Sequence, residues 1–142
     1  MKVIFPFEEG KSSIVERIRR PVAHVEFHHL KQDIWQPLTL IIDSGADYTL
    51  LPKFIAEPLG IQLSQHTYPL KTFGIGGGQK VYFLKQKVRI RLSGLQSEIR
   101  LGILDSDHVP PLLGRLDFFA TFRIVFEGNK TIISPLQSSL LS

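Results

Sequence analysis

The sequence predicts an all-β fold, mainly β with one or two short helices. Three observations carry that reading. Apolar residues recur with a period of two rather than 3.6 along most of the chain. Turn signals (Gly74 to Gly78, Ser93-Gly94, Pro110-Pro111, Gly128-Asn129) separate the alternating runs at intervals suited to short strands. The composition, 43% hydrophobic and 21% charged over 142 residues, is that of an ordinary globular protein with enough chain for one sizeable core.

Taken in order, Ala23, Val25 and Phe27 alternate with His24, Glu26 and His28, which predicts a strand with one buried face. The run Leu38-Thr39-Leu40-Ile41-Ile42 is apolar enough for a strand buried on both faces. Residues 52–60, with Pro52 at the start and Gly60 at the stop, suit one or two helical turns. Residues 68–71 and 80–84 read as strands flanking the glycine cluster, and Val88, Ile90 and Leu92 as another. Ile99, Leu101 and Ile103 alternate as one further run, and Phe122, Ile124 and Phe126 as the last. A second helical turn is expected at 117–121, and the tail 134–142 is expected extended or frayed.

Charge and composition exclude several functions. The balance of 17 Lys+Arg against 13 Asp+Glu gives a mild excess of +4. Lys85, Lys87, Arg89 and Arg91 are expected along one solvated strand face, without the interleaved aromatics of a single-strand binder, so no nucleic-acid partner is predicted. The chain has no cysteine, which removes disulfides, thiolate metal sites and cysteine nucleophiles. No segment reaches the roughly 20 apolar residues of a membrane span, and residues 1–9 are too short an apolar run for a signal peptide. A cytoplasmic location, no membrane contact and one domain over residues 1–142 are the expectations.

One run carries chemistry. Ile41-Ile42-Asp43-Ser44-Gly45-Ala46-Asp47 delivers a carboxylate from an apolar strand onto a turn, with a hydroxyl and a glycine behind it, and it occurs once. Asp105-Ser106-Asp107 is a near echo without the glycine. Alone, Asp-Ser-Gly is a common turn sequence. The glycine cluster Phe73-Gly74-Ile75-Gly76-Gly77-Gly78 has its first glycine 31 residues after Asp43, and glycines there let backbone N–H groups approach a ligand. It is no phosphate loop, since no Lys-Ser/Thr follows. The run Leu112-Leu113-Gly114-Arg115 follows, with its glycine 71 residues after Asp43.

In that order and spacing, over residues 38–126, the chain resembles the retropepsin-like aspartic proteases, the retroviral-protease family and its cellular relatives. The segment 53–65 makes the gap to the hairpin longer than in compact viral enzymes, and residues before Leu38 exceed the viral pattern. The resemblance implies a closed acid-protease barrel, one domain per subunit, in a homodimer whose site straddles the two-fold axis. The segments outside the core would take part in dimer contacts or fray. Asp43 from each subunit would be catalytic, the two carboxylates holding one proton between them. The ionised member would take a proton from water, which attacks the scissile carbonyl of a peptide or protein substrate. No cofactor and no metal is needed.

By the same resemblance Ser44 would bond across the dimer, and Gly45 would let substrate pass close. Ala46 lacks the hydroxyl that pepsin-like members often carry there, which implies a less acidic pH optimum than theirs. Asp47 would bind substrate backbone and be anchored by Arg115, next to Gly114, so that losing Arg115 would damage folding or dimerisation as well as activity. Gly74, Ile75, Gly76 and Gly77 would form a flap over the substrate, Ile75 at its tip, with Leu50 and Phe73 as pocket walls.

Rival readings remain in the residues. One is a catalytically weak or inactive dimer of this fold kept for peptide binding; another is a basic β-barrel that binds nucleic acid. His24, His28 and His29 lack a third defined ligand or an HExxH pattern and read as surface histidines. Asp105, Asp107 and His108 read as a polar turn, and Trp35 as a core edge. Ser44 lacks the Gly-x-Ser-x-Gly elbow of a serine nucleophile.

Overall fold

The computed structural model describes residues 1–10, 18–74 and 77–136. The expected class holds: the described residues form fourteen short strands and a few single-turn helices. The central sheet contains β4 (Val22–His28), β5 (Trp35–Ile42), β6 (Thr49–Pro52), β7 (Thr67–Gly74), β8 (Gly77–Leu84), β9 (Val88–Leu92), β10 (Leu95–Ile99), β11 (Leu101–Leu104) and β12 (Leu112–Leu113). Their spatial order is β10-β9-β4-β5-β12-β6-β11-β8-β7. A second sheet joins β1 (Val3–Pro6), β14 (Lys130–Pro135) and β13 (Phe122–Glu127) in that order, and β2 (Glu8–Gly10) pairs with β3 (Ile18–Arg20).

Alternation explains the strands that were legible. Ala23, Val25 and Phe27 of β4 are buried, as are Val88, Ile90 and Leu92 of β9, while His24, Arg89 and the other intervening residues reach outward. One apolar core runs from Val3 and Phe5 through Leu40, Leu51, Ile103 and Phe118 to Phe122 and Ile133, so the two larger sheets share an interior. Each fully buried large side chain there, such as Phe27 or Phe118, contributes about 2–3 kcal/mol.

Both expected helical segments are present. The 52–60 segment forms single 3-10 turns at Lys53–Ile55 and Glu57–Leu59, ended by Gly60 at φ 71°, which a side chain would strain. The segment after Asp117 forms α2 (Phe118–Thr121). A further turn, α1 (Leu63–His66), was not foreseen; His66 Nδ1 accepts from the Gln62 N–H at 2.9 Å, and the Thr67 hydroxyl donates to the Leu63 carbonyl.

Two details depart from the sequence reading. Ile99, Leu101 and Ile103 are buried but sit on two strands, because the Arg100 N–H turns aside to donate to Asp117 Oδ2 at 2.7 Å. Lys85 and Lys87 precede β9 rather than lining it, and only Arg89 and Arg91 lie on the strand. Those two guanidiniums flank Trp35, with Arg91 4.1 Å from the ring centre and bonded to both Glu26 carboxylate oxygens. The tail is strand to Pro135, and residues 137–142 lie outside the described residues.

The strand order positions the site. β12 inserts between β5 and β6, parallel to β5 (Leu112 beside Ile41, Leu113 beside Ile42) and antiparallel to β6 (Leu112 beside Leu50). The chain that leaves β5 at Asp43 must therefore arch past the end of β12 to start β6. The first and third sequence motifs meet at that arch.

Candidate active site

β5 is held to its last residue from both sides. The Ile41 N–H donates to the Pro111 carbonyl at 3.0 Å, the Ile42 N–H to Pro21 at 2.9 Å, and the Asp43 N–H to Leu113 at 3.0 Å. Beyond it the chain turns on itself: the Ala46 N–H donates to the Asp43 carbonyl at 3.2 Å. The Gly45 N–H donates to Asp43 Oδ1 at 2.9 Å, which fixes one carboxylate oxygen against the turn. Asp43 is half-buried, and Ser44 and Gly45 are exposed.

The segment after β12 clamps the rest of the arch. The Arg115 N–H donates to the Ala46 carbonyl at 3.0 Å and the Leu116 N–H to Asp47 at 2.8 Å. Gly114 is required by space, since a Cβ there would overlap the carbonyl group of Tyr48 and lie 2.9 Å from its Cα. The Gly114 N–H donates to the buried Thr49 hydroxyl at 3.1 Å. Arg115 Nη2 donates to Asp47 Oδ1 at 2.7 Å. Those two side chains are 56% and 79% exposed, so within one chain their pairing contributes at most about 1 kcal/mol. The damage to folding expected from loss of Arg115 has little support in a single chain.

Two residues next to the motif were not singled out from sequence. Thr49 is fully buried and joins the first motif to the third. Its signal was a lone hydroxyl opening the apolar run Leu50-Leu51. Tyr48 stands edge-on to Phe83 with ring centres 5.2 Å apart. Burial first, and then the Asp47 charge, raise the Tyr48 phenol above its ordinary pKa.

Phe83 connects this turn to the glycine hairpin. β7 and β8 pair from Thr67 opposite Leu84 to Gly74 opposite Gly77, and β8 pairs with β11 through Phe83 beside Gly102. Ile75 and Gly76 lie outside the described residues. The structure thus gathers Asp43, Ser44, Gly45, Ala46 and Asp47 with Gly114 and Arg115, and ties the root of the hairpin to Tyr48.

The other polar residues are engaged elsewhere. His24 contacts Glu8 at 2.7 Å and Thr39 at 3.0 Å, and His28 contacts Asp33 and Arg89. Asp105 pairs with Lys53, and Asp107 accepts from the Phe54 N–H. Among the described residues no group of three or more His, Cys, Asp or Glu could hold a metal ion. No helix among them is long and apolar enough to cross a membrane.

A carboxylate at the end of a buried strand, on a turn clamped by a Gly-Arg segment inserted beside it, defines an aspartic-protease type of architecture in the retropepsin-like fold. Residues 30–116 match the sequence profile of the aspartyl protease family, and the chain belongs to that family. A retropepsin-like aspartic protease from Rickettsia conorii has a similar structure, with a TM-score of 0.61 over 93% of this chain and 98% of that one at 17% identity. EIAV protease, solved with the inhibitor HBY-793, gives a TM-score of 0.49 over 68% of this chain and 82% of that one at 23% identity. No curated protein matches the chain in sequence. Family and fold together support a hydrolase of the protease class.

Proposed function

We propose that the protein is an aspartic endopeptidase that works as a homodimer, one domain per subunit, with an Asp43 from each at the interface. The observation that carries this reading is the clamped turn. It presents a single carboxylate with one oxygen already bonded to the Gly45 N–H, and its remaining oxygen is left for water or a second carboxylate.

Two like charges that close cannot both ionise, so Asp43 and the partner's Asp43 share one proton. The ionised member removes a proton from a bound water, which attacks the peptide carbonyl. The protonated member donates to the carbonyl oxygen as charge develops, and the roles reverse when the leaving nitrogen is protonated. Because the nucleophile is water, no covalent enzyme intermediate forms. The pair titrates as a unit.

In this reading Asp47, oriented by Arg115, accepts substrate N–H groups, and Gly45 leaves room for the substrate backbone. Ser44 bonds across the dimer. Gly74, Ile75, Gly76 and Gly77 act as the flap that excludes water.

The test compares wild type with Asp43→Asn for cleavage of a peptide library, with mass measured in solution. Wild type is expected to cleave as a dimer, and the variant to fold equally well with cleavage reduced about 10²–10⁴-fold. Equal cleavage by both proteins, or a strictly monomeric active species, would sink the mechanism. Peptide binding by both without turnover would favour a capture module instead.

A further inference from the structure

Among the described residues one backbone conformation has no local cause. Asp117 stands at φ 66° and ψ −41°, and the Phe118 N–H donates across it to the Leu116 carbonyl at 2.7 Å. That is a three-residue turn of the strained hand, which residues with a side chain rarely adopt. The other described non-glycine residue with positive φ, Ser93 at 54°, sits in the two-residue turn joining β9 to β10, where a hairpin calls for it. Asp117 closes no hairpin.

Its bend is imposed from outside. The Arg100 N–H donates to Asp117 Oδ2 at 2.7 Å, Arg100 Nε to the same oxygen at 3.1 Å, and Nη2 to Oδ1 at 3.1 Å. These charge-assisted bonds fix the carboxylate at the break between β10 and β11. On the far side the Thr121 hydroxyl donates to the Asp117 carbonyl at 2.8 Å, and Phe118 is fully buried against Phe119 and Phe122.

The bend reaches the site through one peptide unit. It brings the Phe119 N–H back to the Arg115 carbonyl at 3.0 Å. That carbonyl and the Leu116 N–H belong to the same planar peptide, so fixing one end aims the other. The Leu116 N–H donates to the Asp47 carbonyl at 2.8 Å, beside the bond from the Arg115 N–H to Ala46. Both carboxylate oxygens of Asp117 are taken by Arg100, so its influence on the arch runs through backbone alone.

We propose that Asp117, locked by Arg100, is a positioning residue for the Asp43 turn: it holds the strained bend that aims the Leu116 N–H at Asp47. The positioning role rests on the catalytic reading of Asp43. It adds two residues that lie outside all three sequence motifs.

The test uses the full chain with Asp117→Ala, Asp117→Gly and Arg100→Ala, read by amide hydrogen exchange and by peptide cleavage. Alanine and glycine both lose the Arg100 bonds, but only glycine takes the bend without strain. In Asp117→Ala and Arg100→Ala the Leu116 N–H should exchange at least about tenfold faster than in wild type, measured against amides of β4 that report global unfolding. Asp117→Gly should stay closer to wild type. Active sites are counted by titration with a hydroxyl-bearing peptide isostere. In Asp117→Ala, kcat per titrated site should fall about tenfold to a hundredfold with KM changed less than about threefold, and Asp117→Gly should recover part of the loss. A role in folding alone would lower the titrated fraction and leave kcat per site intact.

Wild-type exchange at Leu116 in Asp117→Ala and Arg100→Ala, or glycine no better than alanine in both readouts, overturns the proposal. Faster exchange with an unchanged kcat per site overturns the positioning role. A wild type without Asp43-dependent cleavage, but with variants in which Leu116 exchange is selectively faster, overturns the catalytic reading and upholds the link from Asp117 to the arch.

Discussion

Thr49→Val tests the joint between the two motifs. The swap preserves volume and β-branching, so it opens no cavity and leaves strand preference unchanged. It removes the oxygen that accepts from the Gly114 N–H at 3.1 Å, in a place where Thr49 has no exposed surface. A buried donor left without a partner costs about 1–3 kcal/mol. At this chain length each kcal/mol moves the melting temperature by roughly 3–4 °C, so a fall of about 3–12 °C is expected in calorimetry or a circular-dichroism melt. Thr49→Ser keeps the oxygen and loses one methyl, at about 1 kcal/mol, and should be the milder change. A valine variant as stable as wild type, or more stable than the serine variant, would show that the hydroxyl does not hold the Gly114 segment in place.

Three further outcomes follow from the same geometry. Gly114→Ala drives a Cβ into the Tyr48 carbonyl, where only backbone can yield, and should cost about 3 kcal/mol or more; a melting temperature near wild type refutes that packing. Asp117 is mostly buried, and its bonds from Arg100 hold its pKa below the usual carboxylate value, so the stability it contributes is present above about pH 4 and lost as pH falls through the depressed value. Asp117→Asn, which tolerates the positive φ of 66°, should therefore be less stable by about 1–3 kcal/mol in urea at pH 7, with the gap narrowing as pH falls below about 4; a gap that stays constant through the acid range refutes the assignment. Arg115→Ala should cost under about 1 kcal/mol in stability, yet lower kcat/KM for peptide about tenfold to a hundredfold; a fully active variant would show the Asp47 pairing to be idle.

What the sequence revealed follows from where physics leaves a residue signature. β4 and β9 were legible because one face is core and one is solvent, which writes a period of two into side-chain polarity. The break at Arg100 was not, since its cause is a carboxylate 17 residues away. β12 is only two residues long and shows no period, yet its apolar residues running into Gly114-Arg115 do read as a strand; its place between β5 and β6, which sets the geometry of the site, has no local signature. The in-chain pairing of β1 with β14 joins segments more than 120 residues apart, and no local pattern announces it. At the site, the residue types and their order were readable. The Thr49 bond and the Tyr48–Phe83 contact were not, because a threonine in a strand and an aromatic beside an acid have many ordinary uses.

The arch itself is held almost wholly by main chain. Asp43, Ala46 and Asp47 each have a backbone group bonded to Leu113, Arg115 or Leu116, and Thr49 fixes the glycine between them. Backbone bonds do not depend on side-chain identity, so the turn keeps its shape whatever stands at position 46 or 48. Side chains there alter the surroundings of the turn without holding it: alanine at 46 supplies no hydroxyl, and tyrosine at 48 packs edge-on against Phe83 beside the hairpin. The exceptions are steric. Gly114 must lack a Cβ because its segment passes against the Tyr48 carbonyl, and that close passage lets the neighbouring N–H groups reach the arch. The glycine of the third motif is thus the condition for the rigidity of the first, which is why the two motifs carry meaning together that neither has alone.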